Sequence, residues 1–312
     1  MSIAPYLREI GRGKDGARSL TREQANDLMN QVLTGRVGDV QLGGFALAMR
    51  IKGESPQELA GFLDATTPLG LALQAPRHCV VLPSYNGARK LPNLTPLLAA
   101  LLARQGVAVL VHGPRADAGR VASAEVFTAL GWGLAETAEQ AQARWARREP
   151  VFMPIDVLHA PLARLLELRR VLGLRNSGHT LAKLLPVFTT HQAVRVVNHT
   201  HPEYALSLAH LLELTRADAL LMRGTEGEPV ANARRLPRLA AYLGGSLRED
   251  LSLPAQEGVL ETLPALPDDI DASTTARYIE DLLAGTTTVP APIVQQVACL
   301  QQMLQALAAA AT

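Results

Sequence analysis

Apolar positions follow two different spacings along the chain, and the rhythm changes near residue 75. Before that point the spacing is helical. Thr21-Arg22-Glu23-Gln24 has the form of a capping box, and Ala25, Leu28, Met29 and Val32 then recur on one helical face. Thr34-Gly35-Arg36 closes that helix, and a second is expected from about Asp39 to Ile51. Ser55-Pro56-Gln57-Glu58 supplies an N-cap, a first-turn proline and a capping glutamate for a third. Residues 1–74 therefore read as an all-helical module, joined onward through Gln74-Ala75-Pro76-Arg77. Beyond it, short apolar runs (Cys79–Leu82, Val107–Val111, Val194–Val197, Ala219–Met222) alternate with helical patterns at Leu94–Arg104, Ala122–Leu130 and Tyr204–Leu214. Buried strands separated by helices imply crossovers and a parallel sheet.

The expected fold class is thus α/β: a small all-helical domain plus a larger α/β domain with a central, mostly parallel sheet. Residues Leu158–Leu185 read as helix with no strand among them, so they can return to the first module and make it discontinuous. The expected division is 1–74 with 158–187, the small helical and dimerising domain, against 75–157 with 188–312, the α/β domain. Ser273–Leu307 reads as two helices split by Gly285-Thr286-Thr287-Thr288-Val289-Pro290.

Hydrophobic content of 48% with 19% charged residues excludes global disorder. Aromatics, at 4%, argue against a surface of stacked aromatic platforms. The N-terminus lacks the features of a signal peptide, and no apolar run approaches the roughly 18 residues of a membrane span. Cys79 and Cys299 stand far apart without CxxC spacing, so a cytoplasmic protein without disulfides, structural metal or cofactor is expected. The net charge of +1 hides an asymmetry: Glu249 to Asp281 holds nine acids and one arginine, −8, which leaves +9 on the remainder.

The sharpest concentration of positive charge runs from Arg164 to Lys183, with five Lys/Arg against Glu167 alone. A cationic loop between helices can grip phosphate, on a small sugar phosphate or on a nucleic-acid backbone. Arg170, Arg175 and Lys183 are the foremost candidates, against the plainer reading of a solvated face with local ion pairs to Glu167. Arg169, close to the Leu165 stripe, reads as stem-buried and paired. His179 is either a pH-sensitive phosphate donor or a hydrogen-bonded structural histidine. Arg89, Lys90 and Arg115 sit at turns after predicted strands, where ligands collect in open α/β sheets. Arg144, Arg147 and Arg148 beside Trp145 read as a solvated helix end. His199 and His201 alternate rather than stand one helical turn apart, which is poor metal-ligand spacing.

In order, these segments resemble the anthranilate phosphoribosyltransferase family. The match runs through Leu20-Thr21, Gly35, Asp39-Val40-Gln41, Phe45, Arg50, Lys52-Gly53-Glu54 and Glu58. It continues through His112-Gly113, Arg115, Ser123-Ala124-Glu125, Leu130-Gly131, Leu172-Gly173 and Arg175. The resemblance implies a helical domain and an α/β domain that close a substrate site between them. Three departures stand out. Where the family carries a Gly-Thr-Gly-Gly-Asp loop for phosphoribosyl pyrophosphate, this chain reads Leu82-Pro83-Ser84-Tyr85-Asn86-Gly87-Ala88-Arg89-Lys90. The family's Lys-His-Gly-Asn becomes Val111-His112-Gly113-Pro114. The Asp-Glu pair for magnesium gives way near Gly227 to Glu226 and Glu228 in a different register, with Arg223, Arg234 and Arg235 flanking them as further candidates.

These departures weigh against ordinary transferase chemistry, and no catalytic residue is assigned. One branch of the family, the DNA-binding YbiB group, resembles the chain better through Arg175-Asn176-Ser177, His179-Thr180-Leu181-Ala182-Lys183 and Gly224-Thr225-Glu226-Gly227-Glu228. That resemblance implies a homodimer binding DNA or RNA through backbone phosphates with little sequence preference. A phosphoribosyltransferase or related glycosyltransferase with an altered substrate is the alternative. The helices of residues 20–63 are the expected dimer surface.

Overall fold

The computed structural model describes residues 2–13, 15–74, 76, 79–188, 193–258 and 263–310. Helices α1 (Ala4–Ile10), α2 (Arg22–Leu33), α3 (Asp39–Lys52) and α4 (Pro56–Thr66) come first. Their boundaries follow the capping signals. Thr21 and Gln24 satisfy each other's backbone N–H across the start of α2, and Ser55 and Glu58 do the same at α4. Glu58 does more than cap. Its carboxylate is fully buried, accepts from the Leu20 N–H (2.9 Å) and pairs with Lys52 Nζ (2.7 Å), pinning the end of α3 to the approach of α2. Gly61 lies where α4 meets α2: a Cβ there would strike the Arg22 carbonyl and come 2.9 Å from the Ala25 Cβ.

The sheet follows: β1 (Cys79–Pro83), α5 (Thr95–Arg104), β2 (Ala108–Gly113), α6 (Ser123–Ala129), α7 (Ala138–Ala146), β3 (Val151–Pro154), α8 (Ile155–Leu158), α9 (Ala160–Leu172), α10 (Ser177–Leu184), β4 (Ala193–His199), α11 (Glu203–Leu214), β5 (Ala219–Arg223), β6 (Leu239–Leu243), β7 (Ser246–Leu247), α12 (Ala272–Ala284) and α13 (Ala291–Ala310). Strand order is β3-β2-β1-β4-β5-β6-β7, parallel through β5 and antiparallel in the last two pairings. Every residue of β1 and β2 is buried, as expected of parallel strands covered on both faces. Two cores result. Val81, Leu110 and Met153 join Phe45, Phe62, Leu28 and Met29 of the helical module on one face. Val80, Val109 and Phe152 join Leu97, Ile279 and Leu300 on the other.

The expected α/β architecture with a helical module and a mostly parallel sheet is what the chain adopts. Helices α9 and α10, between β3 and β4, pack against α2, α3 and α4. The expected loop between the helices of Leu158–Leu185 falls at Gly173–Asn176, where Gly173 turns left-handed (φ 68°) and Asn176 caps a new helix. Strand β3, only four residues long, and the β6–β7 hairpin are additions to the expected elements. Ala75 and Arg77 of the expected linker, and Glu261 of the acidic stretch, lie outside the described residues. Cys79 and Cys299 are buried free thiols. Among the described residues no helix is long and apolar enough to cross a membrane.

Candidate functional site

In an open parallel sheet, connections leave opposite faces where the strand order reverses, and a crevice opens beyond the strand ends. Here the reversal falls between β1 and β4. After Pro83 the chain crosses that edge as Ser84-Tyr85-Asn86-Gly87, with Gly87 left-handed (φ 69°) and packed so closely that a side chain there would meet the Arg120 Cβ. Reciprocal backbone bonds between Ala88 and Val121, 2.9 Å each, fix the loop.

Two carboxylates of the chain itself fill this arch. Glu228, 2% exposed, accepts from the Asn86 and Gly87 N–H groups through Oε1, both at 2.8 Å. Its Oε2 accepts from the Ser84 hydroxyl, from Thr95 Oγ1 (3.3 Å) and from Ser123 Oγ (3.5 Å). Glu226 Oε2 takes the N–H groups of Arg89 (2.9 Å), Lys90 (3.0 Å) and Leu91 (3.2 Å). Burial opposes ionisation of Glu226, but these three amides hold its carboxyl below the usual carboxylate range. Glu226 is itself left-handed (φ 53°), an unusual conformation for a residue with a side chain. Convergent backbone N–H groups form concavities suited to anions; here five of them hold the chain's own.

Positive charge lies over these carboxylates. Asn176 caps α10 through its Oδ1, which accepts from the Gly178 N–H (2.9 Å), and ties the cap to α9 through Nδ2, which donates to the Leu165 carbonyl (2.8 Å). The capped helix buries Leu181, Ala182 and Leu184. It thereby brings in Lys183, whose Nζ donates to the Gly227 carbonyl (3.0 Å) and Asn198 Oδ1 (3.2 Å). Burial lowers the Lys183 ammonium to about 8, against the pull of Glu228. Arg175 Nη1 donates to Asn86 Oδ1 (2.7 Å), and Asn86 Nδ2 donates to the Glu226 carbonyl (2.9 Å). Burial, then Arg169 and Arg120, lower the Arg175 guanidinium. Beside them opens a cleft of about 560 Å³ between the end of α3, α10, the end of β4 and the start of α11.

The candidate residues divide sharply in this arrangement. Arg175 and Lys183, foremost candidates for phosphate contact, are instead half-buried and hold the β1 loop and the Glu226–Glu228 turn in place. His179 is a cap: its Nδ1 accepts from the Asn176 N–H (3.3 Å). Arg115 is tied to two carboxylates, with Asp156 and Glu136 accepting from its guanidinium at 2.7–3.2 Å. Arg170, 79% exposed, pairs with Glu167, and Arg169 pairs with Asp117. Arg235 donates to the carbonyls of Gln256 and Gly258. It and exposed Arg234 sit between Ala233 and Leu236, which line a different cavity. Lys90 and Arg223 are exposed beside the site, as is Arg89, without a carboxylate at ion-pair distance among the described residues. Arg50, exposed at the cleft, was not singled out as a ligand, and neither was Arg120, whose Nη1 approaches the Gly87 carbonyl (3.4 Å). Among the described residues no three His, Cys, Asp or Glu side chains are grouped to hold a metal.

The cap has a pH consequence. Burial and then Arg175 push the His179 imidazole down from 6.5 to about 4. Between those values the unfolded chain binds a proton that the folded chain does not, so stability falls as pH falls through the window. His112, buried with the Tyr85 hydroxyl 2.7 Å from its Nδ1, is lowered to about 3 by burial and then Arg195, and acts in the same sense. Replacing His179 by Gln keeps a capping side chain and removes one titration. The fall in Tm between about pH 7 and about pH 5 is expected to be smaller in His179→Gln than in the parent. Equal falls would show that the imidazole does not carry it.

The helical bundle domain of the glycosyl transferase family matches residues 4–67, and the family's a/b domain matches residues 87–303. The chain belongs to the glycosyl transferase family. It is similar to YbiB of Escherichia coli (strain K12), 40% identical over 302 residues that cover 96% of this chain and 93% of that protein. It is also similar to the anthranilate phosphoribosyltransferase of Nocardioides sp. (strain ATCC BAA-499 / JS614), 26% identical over 86% of this chain and 78% of that one. Solved structures share the fold. The anthranilate phosphoribosyltransferase of Thermus thermophilus superposes with a TM-score of 0.68 at 22% identity, over 93% of this chain and 90% of that one. The enzyme of Saccharomyces cerevisiae in complex with PRPP and Mg gives 0.71 at 14% identity, over 97% and 89%.

Proposed function

We propose that this phosphoribosyltransferase-like chain binds nucleic acid with little sequence preference, gripping backbone phosphates along the rim of the cleft while its inner anion pocket stays closed. One observation carries the reading: Glu226 and Glu228 take the five amides that a small phosphate would need. A pyrophosphate group entering there must expel two carboxylates, one of them 2% exposed. A magnesium ion does not fit either. Both oxygens of Glu228 and Oε2 of Glu226 already accept from N–H and hydroxyl donors, and a hard cation needs such oxygens free.

Outside the pocket, Arg50, Arg89, Lys90 and Arg223 are exposed and free to meet phosphates. Such contacts carry no sequence information, which accounts for the lack of preference. A homodimer suits this reading. Helix α3 exposes Val40 (91%), Leu47 (49%) and Ile51 (63%) on one face, and pairing two copies doubles the number of phosphates held.

The test is a filter-binding titration at two salt concentrations. Raising salt from about 50 to about 200 mM is expected to weaken duplex binding by about a hundredfold for a protomer that neutralises about four phosphates, and by about ten-thousandfold for a dimer that neutralises about eight. Salt-independent affinity, or no retention at low salt, overturns the proposal. Family membership and the cleft favour one rival, a transferase with an altered substrate. That rival predicts calorimetric heat with phosphoribosyl pyrophosphate, enlarged by Mg²⁺; the closed pocket predicts none.

A further inference from the structure

We propose that the tip between α9 and α10, Val171-Leu172-Gly173-Leu174, is an apolar wedge that enters a base step of a nucleic-acid duplex. The inference rests on the nucleic-acid reading and adds to its phosphate grip a second kind of contact. The first ground is an apolar run that the fold leaves in water. Val171 is 83% exposed, Leu174 43% and Leu172 37%, whereas Leu165 and Leu168 of the same helix pack into the core. Consecutive exposed apolar side chains contribute nothing to folding and point to contact with another molecule. A Cβ on Gly173 would meet nothing within 4 Å among the described residues, so the tip projects into open space.

The second ground is that the tip is held rigidly. Left-handed Gly173 closes α9 by donating its N–H to the Arg169 carbonyl (2.9 Å), and Asn176 Nδ2 donates to the Leu165 carbonyl (2.8 Å) across the turn. Arg169 pairs with Asp117 (3.0 Å) after β2, and Arg175 donates to Asn86 (2.7 Å) after β1. The second tie joins the tip to the loop that carries the rim cations Arg89 and Lys90. A tip fixed in this way loses little conformational entropy on entering a partner. Charge decides which partner. Arg164 and Arg170 are exposed on the helix that ends in the tip, within a segment holding five Lys/Arg against Glu167 alone. The Arg170–Glu167 pair is 79% and 58% exposed, and surface pairs of that kind are weak enough for phosphate to compete. A second copy of the chain would set these cations against each other, whereas a polyanion neutralises them. Leucine and similar side chains part neighbouring base pairs once the flanking phosphates are held. No base edge is hydrogen-bonded, so the wedge preserves the low sequence preference.

The experiment titrates the full-length chain against a duplex of about fifteen base pairs whose central TA step, a flexible one, carries 2-aminopurine in place of adenine. Binding of the parent is expected to raise the probe's fluorescence at least about twofold as its neighbours unstack. Val171→Gln combined with Leu174→Gln is expected to abolish the rise and to weaken binding about tenfold. The salt dependence of affinity should stay that of the parent, because no charge has changed. If the double variant does not fold, Val171→Gln alone, at the most exposed of the three positions, decides. Parent binding without a rise in fluorescence, or a variant that keeps the rise, overturns the wedge and leaves the phosphate grip standing. A fall in the variant's oligomeric state by light scattering assigns the tip to contact between copies and overturns the wedge as well. No binding of the duplex by the parent at low salt overturns both the wedge and the nucleic-acid reading.

Discussion

Glu228→Ala is expected to lower stability by about 3–5 kcal/mol, the cost of leaving buried charge uncompensated. The carboxylate is the common acceptor for two backbone N–H groups and three hydroxyls, all on loops after β1 and β2 or at the heads of α5 and α6. Removing it strands those donors. It also removes the negative charge that offsets the buried Lys183 ammonium. Glu228→Gln keeps the shape and one acceptor, but turns an NH₂ toward groups that donate, so a smaller loss of about 1–3 kcal/mol is expected. The measurement is chemical denaturation of the three proteins. A second readout distinguishes an anion nest from ordinary packing. Inorganic pyrophosphate should stabilise Glu228→Ala by mass action, by about 2.7 kcal/mol at a hundredfold excess over Kd, and leave the parent unchanged. An alanine variant as stable as the parent, or one indifferent to pyrophosphate, would refute the idea that the carboxylate occupies an anion site.

Much of the fold was legible because its signals are local. Thr21 with Gln24 and Ser55 with Glu58 announce their helices within four residues, and the apolar runs at Cys79, Val194 and Ala219 are too short for helix. Strand β3 escaped because four residues, preceded by Pro150 and ending in Pro154, are too few to establish a period. The β6–β7 hairpin did carry a signal, the Gly244-Gly245 pair between Leu243 and Ser246, which favours a two-residue turn. The site was another matter. The basic residues of 164–183 were visible as composition, but their fates depend on partners far away in sequence. Lys183 is held by Gly227 and Asn198, Arg175 by Asn86, and Arg115 is consumed by Glu136 and Asp156. Glu226 and Glu228 were noticed as misplaced metal ligands. Their role as internal anions emerges only when the β1 loop, about 140 positions earlier, is folded over them.

Reversing three rim charges together, Arg89→Glu, Lys90→Glu and Arg223→Glu, is expected to weaken nucleic-acid binding by at least about a hundredfold at about 100 mM salt. Each substitution removes a cation that can release a counterion and places an anion against the phosphates. The slope of log K against log salt should therefore flatten by about 2–3 per protomer on duplex. These positions are chosen over Arg175 and Lys183 for a physical reason. The inner pair is tied to Asn86 and Gly227, so reversing either charge would disrupt the β1 loop and confuse unfolding with lost contact. The outer three are exposed and make no ion pair among the described residues. Arg89 and Lys90 anchor the loop through main-chain N–H groups, which the substitutions retain. Arg277→Glu, exposed on α12 within the acidic stretch, is the matched control and should bind as the parent does. If the triple variant keeps both its Tm and its affinity, the phosphates are held elsewhere and the rim is merely solvated.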